Sequence, residues 1–319
     1  MTALSIAIWG VGGLTWPLWK RWVSEIEQFG FAGLYFIDAL PHALQVYMDS
    51  LEAMVALTYL ADHTERVQTG TVVALMPVRD PVTLVRQAVA LDDLSGGRFV
   101  LGLGSGGQAQ QGQMFGYDFG EVAARMARLG EGLEVITRLL RSPEPVTFSG
   151  QFYQLKEAMV LPHTQRAGGP PILVGGSGPK RTLPLVAHYA DIWNPQLLAP
   201  DVYRERSALL DELLQAEGRS PSDVKRTINL RVACGRNPAE LEQRVSWLRG
   251  KVPFIADMPL DALLDFSRTQ GVFVGSPESL VELMHKYVAA GVDEIILEWT
   301  ALDDFAGLQL IAEEVLPNI

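Results

Sequence analysis

Short runs of β-branched and aliphatic residues alternate along this chain with segments of helical periodicity. The runs fall at Leu4–Trp9, Gly33–Ile37, Val67–Leu75, Phe99–Leu103, Pro171–Val174, Ala190–Trp193, Thr227–Cys234 and Glu294–Glu298 and read as strands. Between and after them, apolar residues recur at helical spacing over Pro17–Phe29, Ser50–Ala61, Pro81–Leu94, Phe119–Leu140, Gly178–His188, Ala199–Gln215, Pro238–Arg249, Pro277–Ala290 and Asp303–Leu316. Eight strands, each followed by at least one helix, imply parallel pairing through right-handed crossovers. Eight such units close into a (β/α)8 TIM barrel, and the count disfavours an open doubly wound sheet.

Helix punctuation agrees. Pro17, Pro81, Pro238 and Pro277 sit near first helical turns, where a missing N–H costs little. Ser276-Pro277-Glu278 adds an N-cap and an acidic first turn. No linker or low-complexity stretch divides residues 1–319, so one domain is expected. Two insertions exceed a simple barrel, at about 141–170 and about 250–271. The first contains a hairpin pattern over Val146–Tyr153. Long excursions of this kind shape the mouth of a barrel.

Composition narrows the class. Hydrophobic residues make up 48% of the 319, enough for an extensive core, yet no apolar run is long enough to span a bilayer. A net charge of -11 with scattered basic residues argues against nucleic acid. The start of the chain lacks a basic signal region, and the single Cys234 excludes an internal disulfide and suits a reducing compartment. A cytoplasmic protein acting on small molecules is the expectation. His63, His163, His188 and His285 are scattered, so no metal site is expected. Trp16, Trp19 and Trp22 recur at helical spacing and belong to the core or to a subunit interface, which leaves room for a homodimer. Cys234 reads as a buried strand residue.

Two glycine-rich strand ends carry the candidate chemistry. Leu101-Gly102-Leu103-Gly104-Ser105-Gly106-Gly107 follows a strand and lets another molecule approach the main chain. The polar stretch Gln108–Gln113 after it reads as a loop, which disfavours a Rossmann turn. Gly175-Gly176-Ser177-Gly178 follows a strand and opens a helix. Free N–H groups and the positive helix end make a phosphate cradle there, to which Arg181 adds a charge. Ser177 lacks the frame of a nucleophile elbow. Asp38 ends the second strand and points into the mouth, where it can accept a hydrogen bond from a cofactor or hold a neighbouring base.

Three stretches together resemble the bacterial luciferase-like superfamily. They are Gly70–Pro81 with Leu91–Arg98, Pro171–Leu183 with Tyr189–Asn194, and Val274–Glu278 with Ala290–Glu294. The Pro171–Asn194 block looks most like the deazaflavin-dependent branch. The resemblance implies a luciferase-like barrel with insertions that binds FMN or the deazaflavin coenzyme F-420 at the C-terminal strand ends. It implies a non-prolyl cis peptide between Val72 and Val73, bulging the strand toward the central ring. It also implies that Trp9, Val72, Val73, Gly104, Gly106, Gly175, Gly176, Ser177, Gly178 and Arg181 contact the cofactor.

The chain departs from those relatives at two places. Many have His directly after the Asp; here Ala39 follows Asp38, and His42, three residues on, is the histidine that reaches the same space. Asp38 and His42 are therefore the catalytic candidates, and Trp9 and Trp193 join them as mouth-lining groups. Relatives also place Trp or acids where this chain has Gly107, Ala109 and Gln111, so their acid-dependent mechanism does not carry over. The expected activity is hydride transfer with coenzyme F-420 on a small organic substrate, or monooxygenation with reduced FMN. A non-catalytic cofactor-binding or partner subunit of the same fold is the rival class. A phosphate-binding lyase or aldolase would explain the cradle but lacks a Schiff-base lysine, since Lys180 falls outside at a helix start.

Overall fold

The computed structural model describes residues 2–41, 47–107, 109–251, 257–264 and 272–319, and in it all eight expected strands are present. The ring begins with β1 (Ala3–Trp9), β2 (Gly33–Ile37) and β3 (Gln68–Thr71), which is continued by β4 (Ala74–Leu75). It proceeds through β5 (Phe99–Gly104), β8 (Ile172–Gly175), β9 (Ile192–Asn194), β10 (Lys225–Cys234) and β12 (Glu294–Trp299). Neighbours pair in parallel in that order and β12 returns to β1, which closes the barrel.

Alternation along the strands sorts residues to two sides. Leu4, Ile6 and Ile8 of β1 pack outward with Trp19 and Trp22 of α1 (Trp16–Phe29). Ala7, Tyr35, Ile37, Val72, Val100, Leu173, Ile192 and Ile296 form the separate cluster inside the barrel. Trp19 and Trp22 are fully buried and donate to the carbonyls of Ala56 and Leu302, at 2.9 and 2.8 Å. Trp16 is partly exposed. Thr15 caps α1 and Gly30 ends it in the left-handed region, at φ 85°. Pro81, Pro238 and Pro277 start α3 (Pro81–Leu94), α8 (Pro238–Lys251) and α9 (Pro277–Ala289), as the punctuation predicts.

The barrel's bottom face is tied by charged side chains. Arg98 donates five hydrogen bonds, to the carbonyls of Ala61, Thr64, Val67 and Ser95 and to Thr64 Oγ1. Arg166, from the first insertion, reaches the buried Asp92 at 2.5 Å. Inside the barrel near the same end, Glu294 accepts from Ser5 Oγ at 2.5 Å and Lys225 Nζ at 2.7 Å.

Five details differ from the sequence reading. The expected strand Val67–Leu75 is split into β3 and β4 around the Val72–Val73 peptide bond, which is cis as expected. The stretch expected to be a loop after β5 forms a short helix, α4 (Ala109–Met114). An unexpected strand, β11 (Val272–Gly275), pairs with the last residues of β10 after the second insertion. α6 (Thr182–Tyr189) starts four residues late, and the Gly178 carbonyl accepts from the N–H groups of both Thr182 and Leu183. α5 (Val122–Arg141) also begins later than its pattern suggests. The expected hairpin is present as β6 (Val146–Ser149) and β7 (Gln154–Ala158). Its turn sits on Glu131 of α5, which accepts from the N–H groups of Gln151 and Phe152 at 2.8 Å each. Phe152 and Tyr153 thereby line a cleft with Met76 to Asp80, the segment leaving β4.

Candidate active site

The C-terminal strand ends gather Trp9, Asp38, Val73, Gly104, Gly175, Asn194, Arg231 and Glu298 around one mouth. Half-buried Trp9 and Val73 pack on top of the interior cluster. Val73 occupies the room that two neighbouring strands leave by lacking side chains. A Cβ on Gly104 would lie 2.4 Å from Val73 Cγ2, and one on Gly175 would lie 2.9 Å from Cγ1. The sequence reads these two glycines as space for a ligand, but at both of them the space belongs to Val73. Gly106 lies farther along the loop, at φ 74°, against Phe119 and Pro77.

Asp38 has a partner that the sequence does not reveal. Arg79 spans both carboxylate oxygens, Nε to Oδ2 at 2.6 Å and Nη2 to Oδ1 at 2.7 Å, and Leu75 N–H donates to Oδ2 at 3.3 Å. Arg79 Nη2 also reaches Glu52 at 2.7 Å. These paired acids push the guanidinium pKa above its ordinary value, against the opposing effect of burial, which is the largest single influence. A bidentate, charge-assisted pair of this kind holds the segment after β4 in place beside Val73. His42 lies outside the described residues, and so do the side chains of Ala109 and Gln111.

The glycine loop between β8 and α6 is pinned from below. Gly176, at φ 116°, donates its N–H to Asn194 O at 3.0 Å and accepts from Trp193 Nε1 at 2.8 Å. Its N–H is therefore spent within the protein, contrary to the expectation that it faces a phosphate. The backbone N–H groups of Ser177, Gly178, Lys180 and Arg181 have no partner among the described residues. Lys180 and Arg181 are exposed and form no ion pair among the described residues. Trp193 does not line the mouth. It is fully buried outside the barrel wall, stacked on Tyr203 of α7 (Pro200–Ala216) with centroids 5.0 Å apart. Its indole braces the loop instead.

Across the mouth, Glu298 Oε1 accepts from Trp9 Nε1 at 2.7 Å and from Arg231 Nε at 2.8 Å and Nη2 at 2.7 Å. Its other oxygen, Oε2, is buried and has no partner among the described residues, and neither does Oδ1 or Nδ2 of the buried Asn229. Leaving a buried polar atom unpaired costs about 1–3 kcal/mol. Sequence reasoning missed Arg79, Asn229, Arg231 and Glu298. A signal existed for the last three. Thr227, Asn229 and Arg231 alternate with apolar residues along one strand, as Glu294 and Glu298 do at either end of another, so their polar faces share the barrel interior.

Among the described residues there is no group of three or more His, Cys, Asp and Glu arranged to hold a metal. Nor is any helix among them long and apolar enough to cross a membrane.

The ring is a parallel eight-stranded barrel with a glycine loop at the end of its fifth strand. The profile of the luciferase-like monooxygenase family matches residues 11–294, and the chain belongs to that family. It is 32% identical, over 70% of its length, to an F420-dependent glucose-6-phosphate dehydrogenase of Kineococcus radiotolerans, spanning 66% of that relative. A 4-hydroxyprotoasukamycin monooxygenase of Streptomyces nodosus subsp. asukaensis is 33% identical over 50% of this chain and 42% of its own. Both matches thus span less than two thirds of the relative's length. The fold matches that of an F420-dependent secondary alcohol dehydrogenase solved with an F420-acetone adduct. The TM-score is 0.83 at 18% identity, covering 100% of this chain and 99% of that one.

Proposed function

We propose that the protein is a deazaflavin-dependent oxidoreductase that holds coenzyme F-420 at the barrel mouth and acts on a small organic substrate. The observation that carries this reading is the adjacency of two features. Val73 forms an apolar platform, and the strand that borders it through Gly175 runs directly into a loop whose N–H groups and cations have no partner among the described residues. A flat ring joined to a phosphate needs those two surfaces side by side.

In this reading Ser177, Gly178, Lys180 and Arg181 hold the phosphate. Val73 supports one face of the ring, and Trp9 closes the apolar wall against water. The Asp38–Arg79 pair fixes the segment that carries the platform. When bound, the deazaflavin supplies hydride-transfer chemistry, which no side chain can provide. The relatives named for F420 favour this cofactor over FMN. A relative named as a monooxygenase keeps one second reading in play, oxygenation with reduced FMN at the same mouth.

Fluorescence titration of the purified protein with coenzyme F-420 and with FMN tests the proposal. Coenzyme F-420 should bind at micromolar concentration, and Arg181→Ala should weaken it by about ten- to hundredfold, the value of one charge-assisted contact. Binding of FMN alone would move the assignment to the monooxygenase reading. Binding of neither would refute both.

A further inference from the structure

We propose that Glu298 is a positioning residue: it fixes the indole of Trp9 as one wall of the mouth, and Arg231 holds the carboxylate in place. The inference rests on the mouth being the cofactor site, as proposed above. β1 and β12 run side by side with Ala7 opposite Glu298. Trp9 lies beyond Ala7 on β1, so its side chain leans back along the strand and across to β12, where Nε1 donates to Glu298 Oε1 at 2.7 Å. The backbone after Trp9 is already tied. Gly10 N–H donates to Ile37 O at 3.2 Å, and Gly10 O accepts from Leu51 N–H at 2.9 Å. Only the torsions of the Trp9 side chain remain free, and the bond to Glu298 sets them.

The same construction occurs lower in the barrel. There Glu294 of β12 accepts from Ser5 of β1 at 2.5 Å and from Lys225 of β10 at 2.7 Å. Twice, then, a β12 carboxylate is held between a β1 donor and a β10 cation. The lower acid ties a small buried hydroxyl, whereas the upper one ties a half-buried aromatic ring at the mouth. Three donors converge on the single oxygen Glu298 Oε1: Trp9 Nε1, Arg231 Nε at 2.8 Å and Arg231 Nη2 at 2.7 Å. A glutamine, with one acceptor oxygen, can take all three, and a leucine can take none. Arg231 offsets the charge of a carboxylate that is otherwise buried. An indole held this way is ordered before the cofactor arrives. An untied one must be ordered during binding, which weakens affinity.

The test joins indole NMR to cofactor titration. In protein labelled with 15N at tryptophan, Trp9→Phe identifies the Trp9 resonance among the seven indoles. Without cofactor, the wild-type Trp9 N–H should exchange with deuterium far more slowly than a free indole, and it should stay slow in Glu298→Gln. Arg231→Met combined with Glu298→Leu removes both charges together and strands neither. In that variant the Trp9 resonance should shift and exchange fast. Coenzyme F-420, or FMN if the protein binds that instead, should bind about tenfold more weakly to this variant and to Trp9→Phe, and within about twofold of the wild type to Glu298→Gln. All three changes together should bind no more weakly than Trp9→Phe alone, because Glu298 acts through Trp9. A merely structural Glu298 would weaken binding by the same factor whether or not Trp9 is present. The proposal is overturned by that additivity, by a fast-exchanging Trp9 indole in the wild type, or by unchanged affinity in the charge-free variant. Should that variant fail to fold, the exchange of the wild-type and Glu298→Gln indoles decides alone. A wild type that binds neither cofactor refutes the proposed function, and this inference falls with it. One that binds a cofactor with additive losses refutes this inference alone.

Discussion

Gly104 is bare because Val73 stands where its side chain would be, with Val73 Cγ2 2.4 Å from the place of a Cβ. The two residues lie on either side of the junction between β4 and β5, and the platform that Val73 makes depends on that missing methyl. Gly104→Ala should therefore destabilise the protein by roughly 1–3 kcal/mol, the usual cost of overpacking a tight site. It should also weaken cofactor binding by displacing the platform. Adding Val73→Ala removes the collision, so the double variant should regain stability while cofactor affinity stays low. Denaturant melts and cofactor titrations on the three variants check this; a double variant no more stable than Gly104→Ala would contradict it.

Arg98 offers the opposite kind of residue. Its five hydrogen bonds join loops on the barrel's bottom face, away from the strand ends that form the mouth. In barrels of this kind the bottom face serves stability and the top face serves chemistry. Arg98→Ala should cost roughly 2–4 kcal/mol, since several carbonyls lose a charged donor. Cofactor affinity at a temperature where the variant stays folded should not change. A fall in affinity without a fall in melting temperature would place the cofactor on the wrong face.

Cys234 should behave as a conformational reporter. Burial pushes its thiol from an ordinary 9.0 up to about 12, with smaller raising effects from nearby acids and a lowering effect from Arg244. The folded pKa lies above the unfolded one, so below pH 9 the group is protonated in both states and carries no penalty. As pH rises from 9 toward 12 the unfolded chain releases the proton first, and native stability is lost over that window. Iodoacetamide should label the native protein very slowly at pH 8 and label it quickly once denaturant unfolds it. Replacing Cys234 with Ala should flatten the part of the alkaline stability loss that the thiol causes.

Much of the barrel is legible in the sequence because its signals are local. Eight apolar runs and four helix-opening prolines suffice to place every ring strand, since period and punctuation act within a few residues. Relations between distant segments are not written locally. Asp38 reads as a free acid at a strand end, yet Arg79, 41 residues later, occupies both its oxygens. Gly104 and Gly175 read as openings, yet a valine from a third strand fills them. Trp193 reads as a mouth residue because it ends a strand, but strand alternation turns it outward onto Tyr203. The same alternation exposes the Asn229, Arg231 and Glu298 faces to the interior. Reading each strand for its inward side, and not only for its apolar content, would have found them.

The central claim is that a deazaflavin sits on the Val73 platform with its phosphate at the glycine loop. Amide hydrogen–deuterium exchange with and without saturating coenzyme F-420 tests it most directly. Protection should appear over residues 72–79, 101–107 and 175–183, while the bottom-face residues 61–67 and 92–98 exchange as before. Protection confined to the bottom face, or absent from residues 175–183 with the cofactor bound, would contradict the account.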